Sequence, residues 1–266
     1  MKIVTVVQAR KGSSRLPNKV LLPLVGEPLL LRMLERVSAA SEVQEVVVAT
    51  TDDSSDDEIE SLCKAWGYPV YRGSSSDLLD RHYRVGERYQ ADAVVKIPSD
   101  CPLIDPNIID RVYKFFIHQV PQYDYVGNLH PATYPDGNDV ELMTMAALGR
   151  AWTEAMRPLE REHTTPYIWE NPDLFKIGNV TWESGLNYSM SHRWTIDYEA
   201  DYLFIKTVYE HLFPRNKTFG LVDILTLLAN QPDIADINAK YAGVNWYRHH
   251  LDELKTVSVD ETRFNS

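Results

Sequence analysis

A chain of 266 residues is long enough to bury a substantial core and to form one large α/β domain or a domain with a sizeable insertion. Its 38 Asp and Glu against 27 Lys and Arg give a formal net charge of -11, which argues against a general nucleic-acid or anionic-membrane surface, because phosphate-rich partners are repelled outside any local basic patch. Cys63 and Cys101 are the only cysteines, so neither a disulfide framework nor a cysteine metal site is suggested, and a reducing cytoplasm is the expected setting. The opening "MKIVTVVQA" has too short an apolar run for a signal segment, and no run of apolar residues is long enough to span a bilayer, so a soluble, unexported chain is expected. The glycosylation sequons at Asn179, Asn187 and Asn216 are then chance.

In chain order, Ile3 to Val7 is a continuous β-branched run, as expected for a strand buried on both faces, and "EVVVAT" (45–50), "YPVYR" (68–72) and "DAVVKI" (92–97) repeat that character. Helical spacing lies between them, in Leu29, Met33, Arg36 and Val37, in Ile59, Leu62, Cys63 and Trp66, and across 77–89. This alternation predicts βαβ crossovers, a mostly parallel sheet with helices on both faces, and ligands bound beyond the carboxyl ends of the strands. The acidic run "DDSSDDEIE" (52–60) reads as a solvated first helical turn. After about residue 120 the style becomes α+β: "YDYVGN", "DVELMT" and "NYSMSHRWTI" read as shorter strands, with helices near 145–157, 162–170 and 199–211.

Two loops stand at strand ends. The first, within "VVQARKGSSRLPNKVL" (6–21), gathers Arg10, Lys11, Arg15 and Lys19 with no carboxylate before Glu27. Gly12, Ser13 and Ser14 let a polyanion approach the backbone closely, although neither G-x-x-x-x-G-K-[ST] nor G-x-G-x-x-G is present. On composition alone, phosphate binding and an ordinary exposed basic turn stand level. The second loop, "PSDCPLIDP" (98–106), carries Asp100 and Asp105; Asp105 before Pro106 reads as a helix N-cap, whereas a single loop carboxylate such as Asp100 is a common way to hold Mg²⁺ beside phosphates.

"QARKGSSRLPNKVLLPLVGEPLL" resembles the signature of the sugar cytidylyltransferases, the family of the CMP-sialate and CMP-3-deoxy-manno-octulosonate synthetases, with the nearest likeness in the spore-coat polysaccharide biosynthesis protein F branch. "VVVATTDD", "YRGSSSDLLDRH", "VKIPSDCPLIDP", "YDYVGN", "YPDGNDVE", "REHTTPYI" and "RWTIDYEADY" continue the likeness in the same order, over roughly residues 1 to 205. The resemblance implies a nucleotide-diphospho-sugar transferase type of α/β fold, a Mg²⁺ requirement and a homodimer. It implies that Arg10, Ser13, Arg15 and Lys19 contact the phosphates of CTP, with Ala9 and Gly12 in the same nucleotide-binding loop and Arg10, Arg15 and Lys19 as catalytic cations. The loop's cations then face a triphosphate of about four negative charges. Lys11 is left to solvent.

The same likeness makes Asp100 a metal-binding aspartate in "SDCP", where Ser99 replaces the family's glycine, and Asp197 a second one, for which helix capping remains the alternative. Arg72, Ser74 and Arg81 are expected to face cytosine, while Asp77 and Asp80 are as apt to cap or to pair with Arg81 as to touch ligand. Asp136, Asn138, Asp139 and Glu141 suit recognition of sugar hydroxyls or amines, with a plain turn the competing reading at Asp136 and Gly137. His163 is expected either to orient the attacking group or to cap a helix, and no histidines show metal spacing, His249 and His250 being adjacent near the polar C-terminus.

The expected reaction is transfer of CMP from CTP to an acidic or amino sugar with release of pyrophosphate, for surface polysaccharide. A nucleotide-sugar-dependent glycosyltransferase lacks its D-x-D motif here, and a non-catalytic nucleotide-binding subunit fits poorly with the retained cations and acids. The expected organisation is one domain over 1–266: a nucleotide-binding half (1–120), an acceptor-binding and dimerisation part (121–205) and a C-terminal helical extension (206–266).

Overall fold

The computed structural model describes residues 1–119 and 121–264, so the boundary expected at 120 and the last two residues of the extension lie outside the described residues. The β-branched run forms β1 (Ile3–Gln8), buried along its first five residues and central in a seven-stranded sheet. A two-residue hairpin of β2 (Pro23–Leu24) and β3 (Glu27–Pro28) follows it. The other expected strands become β4 (Val46–Thr51), β5 (Val70–Gly73) and β6 (Ala93–Pro98), and β5-β4-β1-β6 are neighbours, all parallel. β7 (Tyr125–Gly127), β8 (Glu141–Thr144) and β9 (Ile177–Asn179) complete the order β5-β4-β1-β6-β8-β7-β9, with β8 antiparallel to both its neighbours.

Helices α1 (Leu29–Ser38), α2 (Asp57–Ala65) and α4 (Pro106–His118) cover one face, against Val7, Val48 and Val95. α3 (Leu78–Arg88), α5 (Met145–Glu154), α6 (Pro158–His163) and α7 (Pro166–Trp169) cover the other, against Val4, Val6 and Val94. Alternate residues of one strand thus feed opposite cores, as a two-faced parallel sheet requires. A third cluster joins Trp194 and Ile196 to α8 (Glu199–Leu212) and α9 (Leu221–Asn230), with α10 (Pro232–Asp236) beyond. Among the described residues no helix is long and apolar enough to cross a membrane.

Two expectations are corrected. The helix expected over 162–170 is split, because Thr164 has φ +73° and Pro166 opens a new helix. "NYSMSHRWTI" forms no strand: its backbone bonds go to two loops, Trp194 N–H donating to Asp136 O (2.7 Å) and Ile196 N–H to Asp100 O (2.9 Å). That segment is held at the sheet's carboxyl end rather than within the sheet. Asp105 caps α4 as expected, accepting from Asn107 N, and its second oxygen accepts from Leu221 N at the start of α9.

Candidate active site

A cavity of about 560 Å³ opens beyond the carboxyl ends of β1 and β6. Its walls are the loop after β1, the Ser99–Asp100 turn, the Asp136–Asp139 turn, the segment from Arg193 to Tyr198 and a stretch of the C-terminal extension from Val244 to His250. The position is where an open α/β sheet binds ligands.

Ala9, Arg10, Gly12, Ser13, Arg15 and Lys19 all line the cavity, and Lys11 does not. Lys11 Nζ pairs instead with Glu58 at 2.8 Å, and its backbone N–H donates to Asp56 Oδ1 at 2.8 Å. Asp56 is 1% exposed, so one acid of the run read as a solvated turn is in fact an internal anchor for the basic loop. A carboxylate accepting a backbone N–H restrains the loop more than solvent would.

Lys19 brings the two candidate metal acids together. Its Nζ donates to Asp197 Oδ1 (3.1 Å), Asp100 Oδ2 (3.4 Å) and Ile196 O (2.7 Å), so the two carboxylates are neighbours across one ammonium. Arg15 Nη2 meets Asp197 Oδ1 at 2.8 Å and Arg193 Nη2 meets Asp197 Oδ2 at 3.0 Å. Burial by itself would raise the Asp197 carboxyl; Lys19, Arg15 and Arg193 outweigh it and hold the group down at about 2. The Lys19 ammonium is likewise raised, its burial overcome by Asp100 and Asp197.

Sequence reasoning missed Arg193. It is 3% exposed and donates to Asp201 Oδ1 (3.1 Å), Asp136 Oδ2 (3.3 Å), Asp197 and Val244 O (2.6 Å). The acids four and eight residues after it in "RWTIDYEAD" were the available signal. Gly137, with φ +106°, lets the Asp136 turn lie against this segment: a Cβ there would sit 2.7 Å from Thr195 N and from the Trp194 carbonyl carbon. Both readings of Asp136 therefore meet, since it is a turn residue and it lines the cavity. Burial pushes its carboxyl up to about 7 against the pull of Arg193.

Among the described residues no group of three or more His, Cys, Asp or Glu is arranged to hold a metal by side chains alone. Two neighbouring carboxylates in a cavity that also presents several Arg and Lys side chains do fit Mg²⁺, which is commonly bound through one or two carboxylates with phosphate oxygens and water completing its shell. Asp100 and Asp197 are the residues that would hold it.

The family model described as cytidylyltransferase matches residues 4–219. This chain belongs to the cytidylyltransferase family. It is 31% identical over 237 residues to the spore coat polysaccharide biosynthesis protein SpsF of Bacillus subtilis, covering 88% of this chain and 96% of that one. A cytidylyltransferase structure from Leptospira borgpetersenii superposes with a TM-score of 0.83 at 34% identity, covering 88% and 97% of the two chains. The structure of a CMP:2-keto-3-deoxy-manno-octonic acid synthetase complexed with CTP shares the fold, with a TM-score of 0.61 at 20% identity and coverage of 79% and 99%.

In this cytidylyltransferase Arg81 also reaches the cavity. It is 1% exposed, donates through Nη1 to Ala49 O (3.3 Å) and leaves Nε without a partner; burial and nearby Arg10 lower it to about 10. Arg72 and Ser74 are not brought there. Arg72 is spent on Glu60 (2.8 Å), Asp57, Thr51 O and Asp53 O, tying β5 to α2, while Ser74 Oγ accepts from Asp77 N before α3. Asp77 caps α3 and pairs with Arg161 rather than Arg81.

Of the residues expected to read a sugar, Asp139, Glu141 and His163 line the cavity, whereas Asn138 is buried beneath the turn, accepting from Asp105 N and donating to Pro135 O. Glu141 pairs with Lys96 at 2.6 Å and accepts from Tyr125 OH at 2.8 Å. Lys96 Nζ also donates to His163 O (3.0 Å), and the His163 ring stacks on Trp246 at 3.8 Å. Burial, then Lys96, lowers His163 to about 3, so the ring is neutral at physiological pH. Lys96, Trp246 and the rest of the 244–250 wall carried no local signal to mark them.

Proposed function

We propose that this cytidylyltransferase transfers CMP from CTP to a sugar, releasing pyrophosphate, in polysaccharide biosynthesis. A sugar hydroxyl oxygen attacks the α-phosphorus; the new P–O bond forms as the bond to pyrophosphate breaks, the hydroxyl proton passes to solvent water, and no covalent enzyme intermediate is needed. The observation that carries this reading is Lys19 Nζ within 3.4 Å of both Asp100 and Asp197 at the floor of a cation-lined cavity. Arg10 and Arg81, which have no carboxylate partner among the described residues, supply donors for phosphate or base, and Lys19 and Arg15 neutralise charge on the departing pyrophosphate. Mg²⁺, held by Asp100 and Asp197, would supply further neutralisation of the phosphate oxygens. The neutral His163, the Glu141 carboxylate and the Asp139 carboxyl, which burial and then Asp136 push well above the usual carboxylate range, face the acceptor side, where positioning contributes much of the remaining rate. A cytoplasmic homodimer belongs to the same reading, supported by the family likeness and tested by light scattering on the purified protein.

The test is a pyrophosphate-release screen of CTP and UTP, with Mg²⁺, against a panel of acidic and amino sugars. CTP-dependent release with at least one sugar is expected. Absence of release with CTP and every acceptor rejects the proposal.

A further inference from the structure

The Lys and Arg side chains lining the cavity fall into two sets. Arg15, Lys19, Lys96 and Arg193 are ion-paired within the protein. Arg10, Arg81 and Arg248 are not, among the described residues: Arg10 donates to Ser75 O, Arg81 to Ala49 O, and Arg248 donates through Nε to His249 Nε2 (3.0 Å) and through Nη2 to Tyr198 OH (3.3 Å). A half-buried guanidinium without a counter-charge costs free energy unless an anion completes it.

Arg248 has a second mark. Its Nη1 is buried and has no hydrogen-bond partner among the described residues, a state that a small turn of the guanidinium toward an oxyanion in the cavity would relieve. Tyr198 fixes where that guanidinium lies: the same tyrosine that accepts from Arg248 has its ring 5.6 Å from the Arg15 guanidinium and follows Asp197 directly in the chain. The tyrosine is itself held by stacking on Tyr241 at 4.0 Å. Arg248 therefore stands at the end of the cavity that holds Arg15 and Asp197, on a wall built from residues beyond the 4–219 stretch that the family model matches.

We propose that Arg248 is a phosphate ligand, supplied by the C-terminal segment, which closes the triphosphate site at the end that holds Arg15 of the basic loop. The proposal rests on the CTP reading above and adds a contact to it. The recognised chemistry is a phosphate oxyanion, which takes the planar fork of an arginine better than an ammonium.

Calorimetric titrations with CTP, inorganic pyrophosphate and cytidine, each with Mg²⁺, test it on wild type, Arg248→Ala and Arg248→Lys. Arg248→Ala is expected to weaken CTP and pyrophosphate by about tenfold or more while cytidine affinity stays unchanged, and Arg248→Lys to recover part of the loss. Wild-type affinity of Arg248→Ala for CTP and pyrophosphate overturns the proposal, as does an equal loss for cytidine, which marks a collapsed wall. If Arg248→Ala fails to fold, Arg248→Gln decides by the same comparison. A wild type that binds pyrophosphate in an Arg248-dependent way but not CTP keeps the phosphate ligand and sinks the cytidylyl-transfer reading instead; a wild type that binds neither overturns both.

Discussion

Lys19 Nζ lies 3.1 Å from Asp197 Oδ1, although 178 positions separate the two residues in the chain. The lysine arrives from the turn after the basic loop and the aspartate from a segment hydrogen-bonded to the Asp100 loop. Each half supports the other: the ammonium gathers Asp100 and Asp197, and the two acids favour the charged ammonium although it is mostly buried.

Lys19→Ala removes the shared donor while Arg15 and Arg193 still hold Asp197. Initial rates of pyrophosphate release are expected to fall by about 10²- to 10³-fold, with a cooperative thermal transition retained. Turnover close to wild type would count against a place for Lys19 in the chemistry.

Arg193→Met leaves Asp136, Asp197 and Asp201 without the buried cation that they share. Breaking a buried pair by removing one partner costs about 3–5 kcal/mol, because the stranded charges stay desolvated. Urea denaturation should show a lower midpoint with an unchanged slope.

Acidification should destabilise the protein through its buried histidines. The His163 and His82 rings are both lowered to about 3, chiefly by burial, whereas the unfolded rings protonate near 6.5. Between those values the unfolded state binds protons that the folded state refuses, so stability falls as pH drops from 6.5 toward 3, by up to about 1.4 kcal/mol per pH unit for the fully buried His82 ring and by less for His163, which lines the cavity half-buried. His163→Phe, which keeps an aromatic ring against Trp246, should flatten the dependence measured by denaturation across pH 4 to 8. An unchanged slope would mean that the folded ring titrates freely.

Gly137→Ala asks a side chain to adopt φ +106° with its Cβ 2.7 Å from backbone atoms of Trp194 and Thr195. Strain of this kind costs about 1–3 kcal/mol and is relieved only by moving the Asp136 turn off the segment that carries Asp197. A lower melting temperature together with weaker CTP binding in the presence of Mg²⁺ is expected; lost stability with intact binding would separate the turn from the site.

The parallel strands β1, β4 and β6 were legible as β-branched runs, because burial on both faces of a sheet leaves a composition that neighbours in the chain share. The two-residue β2 and β3 gave no such run, whereas the edge strand β5 was legible from its similar character. The basic loop was legible for the same reason, its cations and small residues being contiguous. The 187–196 segment was misread as a strand because its closing apolar residues are buried against two loops, to which its backbone bonds, instead of a sheet partner. Arg72 was misread because the acids that consume it, Asp57 and Glu60, lie on the next helix back rather than beside it.

By itself the sequence determined the four parallel strands β1, β4, β5 and β6, the clustering of cations in the loop after β1 and the family that the motifs resemble, all properties of residues adjacent in the chain. Only the tertiary structure decided which charges meet. Coulomb energy depends on separation in space and on burial, so it took the folded chain to pair Lys19 with Asp197, to spend Arg72 on α2, to centre Arg193 among three acids and to bring Arg248 from the far end of the chain to the cavity wall.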